Sequence, residues 1–263
     1  MSKTNKVACF YTALKNNAGT VAFTEQCYPM IDYWKKSWQT NGWKTFVLTE
    51  EDIEKDDDYF ALKFDKFEKS NLCKYTIDWD CEYSRACYLR WLAYHQFAKK
   101  HGDIFWCDYD IINYGLSPYN RILPNNSILG CNSAGRMVDP FGQKVIDTFI
   151  EVENEEYDFK TLAKIINFHD NRVKISDMFI TQHLVKIRLS RPHLGRVANE
   201  TIIGSQELPF LIHYHNGIYG KPRPKEKQLT DFSPLLFKPN GDKYSRLECI
   251  KILEKQHGLE HYD

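Results

Sequence analysis

The sequence predicts an α/β fold, in which a central, mostly parallel sheet is flanked by helices and followed by a C-terminal helical tail. The first observation is the order of elements near the N-terminus, where strand-type runs at 7–11 and 44–48 enclose a stretch of helical spacing at 28–39. The second is the run DIFWC (103–107), which is apolar on both sides, as in a central strand covered on both faces. The third is size, because 263 residues that are 43% hydrophobic can bury a sizeable core.

The other elements follow from the same patterns. Weak alternation at 59–64 predicts a third strand, and the apolar stripe of 82–102 predicts the clearest helix of the chain. We further predict strands at 127–132 and 209–215 and helices at 139–156, 158–168, 176–187 and 242–258. We therefore expect one domain over 1–225 and a tail over 226–263, with a helix that packs on the domain or forms an interface.

Composition limits the class of protein. Lys plus Arg equals Asp plus Glu at 35 each, so no overall field draws the chain to nucleic acid or anionic lipid, which makes nucleic acid an unlikely partner. The eight cysteines include no C-x-x-C pair, which favours small buried thiols in a reducing compartment over a zinc site or disulfides. No apolar window is long enough for a membrane span or a secretory leader, so we expect a soluble, cytoplasmic protein.

Two carboxylates stand one residue apart where the predicted strand 103–107 ends. In an extended chain residues i and i+2 point the same way, so Asp108 and Asp110 should share a side and Tyr109 should face the other. Ligands bind at this edge of open α/β sheets. Like charges this close favour a bound cation, and Mg²⁺ or Mn²⁺ commonly lies between carboxylates and phosphates. The alternative is a solvated turn, because D-x-D also occurs by chance.

Two arginines lie on or beside the apolar stripe of the helix 82–102. Arg85 falls between Leu89 and Leu92, and Arg90 falls at the edge of the stripe beside Phe97. A buried arginine needs a partner, so either one forms a structural ion pair or it reaches an anionic ligand beyond the strand ends. Both interpretations stay open for each residue.

Later in the chain, one acid and two histidines complete the set of candidates. Asp177 lies in the first turn of the predicted helix 176–187, where a carboxylate is favoured by the helix dipole whether or not it has a further role. His213 and His215 share a face of an extended strand, and imidazole suits Mn²⁺ better than Mg²⁺, although isolated histidines more often serve as hydrogen-bonding groups. The basic residues that begin at Lys221 form either a solvated tail or a diphosphate clamp.

These motifs, in this order, resemble nucleotide-sugar-dependent glycosyltransferases of the GT-A (Rossmann-like) fold, especially families 8 and 32. The family's Y-x-R helix corresponds to Tyr88-Leu89-Arg90, and its hydrophobic strand ending in D-x-D corresponds to IFWC followed by Asp108-Tyr109-Asp110. Its later helix that begins with Asp corresponds to Asp177, and its terminal motif to HNGIYGKPR (215–223). The resemblance covers roughly residues 7–225.

The resemblance implies a metal centre. Asp108 and Asp110 would bind Mn²⁺ or Mg²⁺, and a histidine would complete the protein ligands. His215 is the first choice, because it keeps the family's six-residue spacing to Lys221, and His213 is the second. The cation would bridge the two phosphates of a nucleotide diphosphate sugar and stabilise the leaving diphosphate.

The resemblance also implies how donor and acceptor are handled. Lys221 and Arg90 would add positive charge at the diphosphate, and Asp177 would contact the donor sugar or deprotonate the acceptor hydroxyl. The remaining donor-binding candidates are Tyr11, Thr12, Arg85, Asp108 and Tyr109, of which Tyr11 and Thr12 would hold the nucleoside. The acceptor could be a glycan, a lipid, a protein or a modified base, and inversion and retention both stay open.

Two other functions remain as alternatives. A nucleotidyltransferase also holds a metal with carboxylates at strand ends, but it usually has a Gly-rich, basic loop after the first strand. Here the stretch after that strand, TALKNNAGT, is poor in both glycine and charge. A non-catalytic carbohydrate-binding protein would account for the 16 Tyr, 16 Phe and 6 Trp, because aromatic faces stack on sugars, and it would not require the D-x-D motif.

Overall fold

A computed structural model describes residues 4–12, 28–63, 81–119, 127–129, 134–137, 141–153, 177, 180–181, 184, 191–193, 197–199, 211–214, 240, 244–259 and 262. The helices of this part of the chain are α1 (Tyr28–Thr40), α2 (Asp57–Lys63), α3 (Cys81–His101), α4 (Phe141–Glu153) and α5 (Arg246–His257), with a 3-10 turn at Glu50–Asp52. Its strands are β1 (Lys6–Phe10), β2 (Lys44–Leu48), β3 (Ile104–Cys107), β4 (Ile111–Asn113), β5 (Ser127–Leu129), β6 (Ala134–Met137), β7 (Arg191–His193), β8 (Val197–Asn199) and β9 (Leu211–His213).

The strands form two sheets. The larger has the order β2-β1-β3-β6-β5-β7, in which β1 pairs in parallel with both β2 and β3. Strand β6 runs antiparallel to β3 and β5, while β5 and β7 are parallel. The smaller sheet has the order β4-β9-β8, with β9 antiparallel to β4 and parallel to β8. The predicted parallel arrangement is confirmed for β2, β1 and β3.

Strands β1 and β3 of the larger sheet are covered on both faces, as their apolar character predicts. Alternate residues of β1 enter different core clusters, because successive side chains of a strand point to opposite faces. Ala8 and Phe10 pack with residues of α2, α3 and α4, whereas Val7 and Cys9 pack with residues of α1, α5, β4 and β9. The prediction that helices flank the sheet is therefore confirmed, and α5 is one of the elements that cover it.

The predicted strand at 59–64 is wrong, because Asp57–Lys63 forms helix α2. The acidic residues before it begin a helix: Asp56 Oδ1 accepts a hydrogen bond from the Tyr59 amide at 2.9 Å, and two aspartates occupy the first turn, where the helix dipole favours them. Tyr59 and Leu62 are buried three residues apart, which is helical spacing. The weak alternation was the less informative pattern.

Other elements differ from the prediction mainly in their ends. Helix α3 ends at His101 before Gly102, whose φ of +79° suits glycine. Helix α5 begins at Arg246 rather than near 242, because Ser245 and Glu248 form a capping box. Strands β4, β6, β7 and β8 were not predicted, since runs of three or four residues carry little alternation.

Some predictions fall on other parts of the chain. The predicted helix 158–168 and the domain boundary after 225 lie outside the described residues. Asp177, Ile180, Thr181 and Leu184 are helical and buried. Among the described helices, none has the length and apolar character that crossing a bilayer requires.

Candidate metal centre

Three potential metal ligands meet where strand β3 ends. Asp108 follows β3 directly, and the chain turns through Asp108-Tyr109-Asp110 into β4, with the Ile111 amide donating to the Asp108 carbonyl at 3.1 Å. Strand β9 pairs with β4 so that His213 lies opposite Ile111, and the Tyr214 amide donates to the Asp110 carbonyl at 2.9 Å. This register brings His213 beside the aspartates, although more than 100 residues separate them along the chain.

The three side chains form a compact set of donors. One oxygen of Asp108, one of Asp110 and one imidazole nitrogen of His213 all lie within 4.8 Å of one another. His213 Nε2 is 3.3 Å from Asp110 Oδ1 and 3.9 Å from Asp108 Oδ2. Neighbouring ligands of an octahedral Mg²⁺ are about 3 Å apart, since each lies about 2.1 Å from the ion. Two carboxylates and an imidazole in this arrangement are a donor set that can hold a divalent metal ion.

Each aspartate is also held by an arginine. Arg90 Nη1 donates to Asp108 Oδ1 at 2.7 Å, and Arg246 Nη1 donates to Asp110 Oδ2 at 2.8 Å. In both cases the arginine binds one carboxylate oxygen, and the other oxygen is the one nearer to His213. The two guanidinium groups therefore fix which oxygen of each carboxylate is turned to the candidate cation position.

Asp177 joins the cluster through Arg90. Arg90 Nε donates to Asp177 Oδ2 at 2.9 Å, Arg90 Nη2 contacts the same oxygen, and Trp91 Nε1 donates to it at 2.8 Å. Arg90 thus bridges Asp177 and Asp108. With His213 neutral, the carboxylates of this cluster outnumber the guanidinium groups by one.

The two aspartates of the D-x-D motif differ in acidity. Burial raises the pKa of Asp108 to about 6, although the Arg90 guanidinium opposes the shift. Burial also acts to raise the pKa of Asp110, but the nearby His213 and Arg246 outweigh it and hold that pKa below the usual value. For Arg90, burial alone would lower the pKa, while the carboxylates of Asp177 and Asp108 keep it well above its ordinary value. The two guanidinium groups thus offset the repulsion between the neighbouring carboxylates.

A group of tyrosine side chains lies beside the cluster, at the end of β1. The rings of Tyr11 and Tyr109 meet edge to face with centroids 6.1 Å apart, and Tyr28 lies 5.5 Å from Tyr11. Tyr11, Thr12 and Tyr109 are buried, while the Tyr28 side chain is exposed. The guanidinium of Arg246 lies 5.8 Å from the centroid of the Tyr109 ring, which connects this group to the aspartates.

The structure brings together a large part of the predicted site. Asp108, Asp110, Arg90, Asp177 and the second-choice histidine, His213, form one connected cluster. The aspartates share a side as predicted, although through a turn rather than an extended strand. The candidates His215, Lys221 and the side chain of Arg85 lie outside the described residues, so their roles stay predictions.

Sequence reasoning missed two members of the cluster. Trp91 follows a predicted site residue, but no motif marks it. Arg246 lies in the tail, far along the chain from every motif, and a weak signal existed for it. The letters SRLE match a capping box, which would place this cation at the first position of a helix, where the helix dipole disfavours positive charge.

No protein-family model matches this chain, and neither the curated proteins nor the solved structures include a match to it.

Proposed function

We propose that this protein is a metal-dependent glycosyltransferase of the GT-A type, which moves a sugar from a nucleotide diphosphate sugar to an acceptor hydroxyl. The observation that carries the proposal is the convergence of Asp108, Asp110 and His213 at the end of a buried parallel strand. In open α/β sheets this edge is where ligands bind. The Y-x-R helix adds Arg90 to the same place.

The charge of the cluster supports an anionic ligand. With His213 neutral, as a metal ligand must be, its carboxylates exceed its guanidinium groups by one, so a divalent cation would turn one excess negative charge into one excess positive charge. The loaded centre would then attract a diphosphate, whereas the cluster without metal would repel it. When bound, Mn²⁺ or Mg²⁺ would offset the negative charge that develops on the leaving diphosphate.

The contacts of Arg90 support a positioning role within the proposed site. Its Nε and Nη2 are directed to Asp177 and its Nη1 to Asp108, so it holds these two carboxylates relative to each other. Direct contact between Arg90 and the diphosphate stays a prediction. So does the proposed role of Asp177 toward the donor sugar or the acceptor hydroxyl.

The nucleoside would lie near the end of β1. Tyr11 and Thr12 follow that strand, and Tyr11 packs on Tyr109 of the D-x-D turn. A nucleoside held here would have its diphosphate directed toward Asp108 and Asp110. The exposed ring of Tyr28 offers an additional surface on which a base could stack.

The first experiment screens nucleotide sugars for thermal stabilisation with and without Mn²⁺, because a ligand that binds only the folded state raises the apparent stability. We expect one donor class to raise the melting temperature only when Mn²⁺ is present. Asp110→Asn should abolish the Mn²⁺-dependent part of the shift. Asp32→Asn is the matched control, since Asp32 is an exposed residue of α1 whose replacement should leave the shift unchanged.

The second experiment measures donor hydrolysis and sugar transfer by the same variants. Metal-dependent hydrolysis that survives in Asp110→Asn would refute the proposal. A nucleotidyltransferase would instead respond to a nucleoside triphosphate and release inorganic diphosphate. Stabilisation by free glycans without any dependence on metal or nucleotide would identify a binding protein.

A further inference from the structure

The C-terminal helix begins with a cation in an unfavourable place. Arg246 is the first residue of α5, where the positive end of the helix dipole disfavours a guanidinium. The position is not a result of fraying, because the capping box fixes the first turn: Ser245 Oγ accepts from the Glu248 amide at 3.2 Å, and Glu248 Oε2 accepts from the Ser245 amide at 2.7 Å. Departures from local preference concentrate at functional sites.

The Arg246 side chain is directed into the candidate metal centre. Its Nη1 donates to Asp110 Oδ2 at 2.8 Å, and its guanidinium lies against the Tyr109 ring. Only 10% of the Arg246 side chain and 11% of the Asp110 side chain is exposed, so the ion pair is largely removed from solvent. With Oδ2 bound in this way, Asp110 Oδ1 is the oxygen that lies 3.3 Å from His213 Nε2.

Helix α5 itself is firmly attached to the fold. Cys249, Ile250 and Leu253 belong to the core cluster that covers one face of the larger sheet. Glu254 is fully buried, and its carboxylate accepts hydrogen bonds from Tyr33 and Tyr114, both at 2.5 Å. The helix therefore presents Arg246 from a fixed position.

We propose that Arg246 is a positioning residue of the candidate metal centre and that α5 is thereby part of the functional site. By binding Oδ2 of Asp110, Arg246 selects the carboxylate orientation in which Oδ1 is directed to the cation position beside His213. The inference rests on the proposed function in one respect, namely that the centre binds a divalent cation.

Two effects of removing Arg246 oppose each other. Loss of the guanidinium removes a charge that repels the metal ion, which by itself would tighten metal binding. It also frees the carboxylate to rotate, and loss of an outer-shell partner typically costs about 10–100-fold in metal affinity. The proposal states that the second effect dominates.

The test measures the affinity for Mn²⁺ alone, from the electron paramagnetic resonance signal of the free ion and from calorimetry, at one fixed pH. Arg246→Met keeps the length of the side chain but not its charge, and should weaken Mn²⁺ binding about 10–100-fold. Arg246→Lys restores a cationic donor and should bind Mn²⁺ more tightly than the Met variant but several-fold more weakly than the parent. If Arg246→Met does not fold, the proposal is tested by comparing the Mn²⁺ affinity of the Lys variant with that of the parent.

A control separates positioning from a general loss of structure. Tyr33→Phe removes a hydrogen bond that anchors α5 through Glu254 and leaves the metal cluster intact, so it should lower stability without changing the Mn²⁺ affinity. Equal weakening by Tyr33→Phe and Arg246→Met would overturn the proposal. Unchanged or tighter Mn²⁺ binding by Arg246→Met, or Lys and Met variants that bind equally weakly, would also overturn it.

The same data distinguish this inference from the proposed function. If the parent binds Mn²⁺ and Arg246→Met binds it equally well, the positioning role is refuted and the glycosyltransferase proposal stands. If the Met variant binds more weakly but no nucleotide sugar stabilises the parent, the glycosyltransferase proposal fails and the positioning role stands. A parent protein that does not bind Mn²⁺ alone refutes the positioning role, and the screen of nucleotide sugars with Mn²⁺ then decides the glycosyltransferase proposal.

Discussion

Replacement of Arg90 by Met should destabilise the protein strongly. The guanidinium is the cation that joins Asp108 and Asp177, with hydrogen bonds of 2.7 Å to the first and 2.9 Å to the second. The Arg90 side chain is 14% exposed, and Asp177 is almost fully buried. Met keeps the apolar stem but leaves two carboxylates facing each other without the cation between them.

The cost follows from the burial of the charges. Removal of one partner from a buried ion pair typically costs about 3–5 kcal/mol, because the remaining charge stays desolvated. Two carboxylates share Arg90, which favours the upper end of that range. Protonation gives partial relief, however, since the pKa of Asp108 is already about 6 with Arg90 present and rises further without it. We therefore expect a loss of about 3–4 kcal/mol at pH 7.5.

Urea unfolding followed by circular dichroism measures the loss as a lower midpoint at unchanged slope. The double variant Arg90→Met/Asp177→Asn should recover about 0.5–3 kcal/mol relative to the sum of its single changes, because it removes one of the two buried like charges that Arg90 no longer neutralises. Lys35→Met is the control, since the Lys35–Asp32 pair is largely exposed and should contribute about 0.5 kcal/mol or less. A change below about 1 kcal/mol in Arg90→Met, or strict additivity in the double variant, would refute this reasoning.

Three further changes test other parts of the fold. Glu254→Gln should cost about 2–3 kcal/mol in the free energy of unfolding, because it weakens the hydrogen bonds that the buried Tyr33 and the partly buried Tyr114 donate to a charged acceptor. Gly142→Ala should cost about 1–2 kcal/mol by overpacking, since the added carbon would lie 2.7 Å from the Cβ of His95. The pKa of Glu54 lies below its usual value because Lys100 donates a hydrogen bond to its carboxylate. The contribution of this pair to stability is therefore lost as the pH falls through that lowered pKa. Lys100→Gln should return the pKa of Glu54 to normal, which a carbon-13 NMR titration measures.

The first two of these changes each have a matched comparison. Lys255→Ala changes an exposed residue beside Glu254 and should alter stability by less than about 0.5 kcal/mol. Glu151→Ala, an exposed position of α4, serves the same purpose for Gly142. If a variant and its comparison lose the same free energy of unfolding, the argument from buried contacts is contradicted. If Lys100→Gln leaves the pKa of Glu54 unchanged, the ion-pair argument is contradicted.

The predicted elements succeeded where many neighbouring residues carried one pattern. The helix at 82–102 and the strand at 103–107 were recovered within one residue at each end, because a long apolar stripe and a fully apolar run are local properties. The strand predicted at 59–64 failed because its alternation was weak and the aspartates that begin a helix were stronger evidence. The short strand β4 depends on β9, a partner distant in sequence that no local pattern reveals. Strand β6 pairs with its neighbour β5 as well as with β3, but it is too short to show clear alternation.

The site divides in the same way. The sequence by itself determined that Asp108 and Asp110 stand at the end of a buried strand, that Arg90 lies on the helix before it, and that a cation would suit the two carboxylates. Among the described residues, only the tertiary structure decided that His213 is the third donor beside the two aspartates. It also decided that Arg246 from the tail binds Asp110. The physical reason is that both contacts arise from long-range pairing: the first from the register of β4 with β9, the second from the burial of α5 against the sheet. A sequence pattern encodes which face a residue presents, and the packing of distant elements determines which side chain it meets.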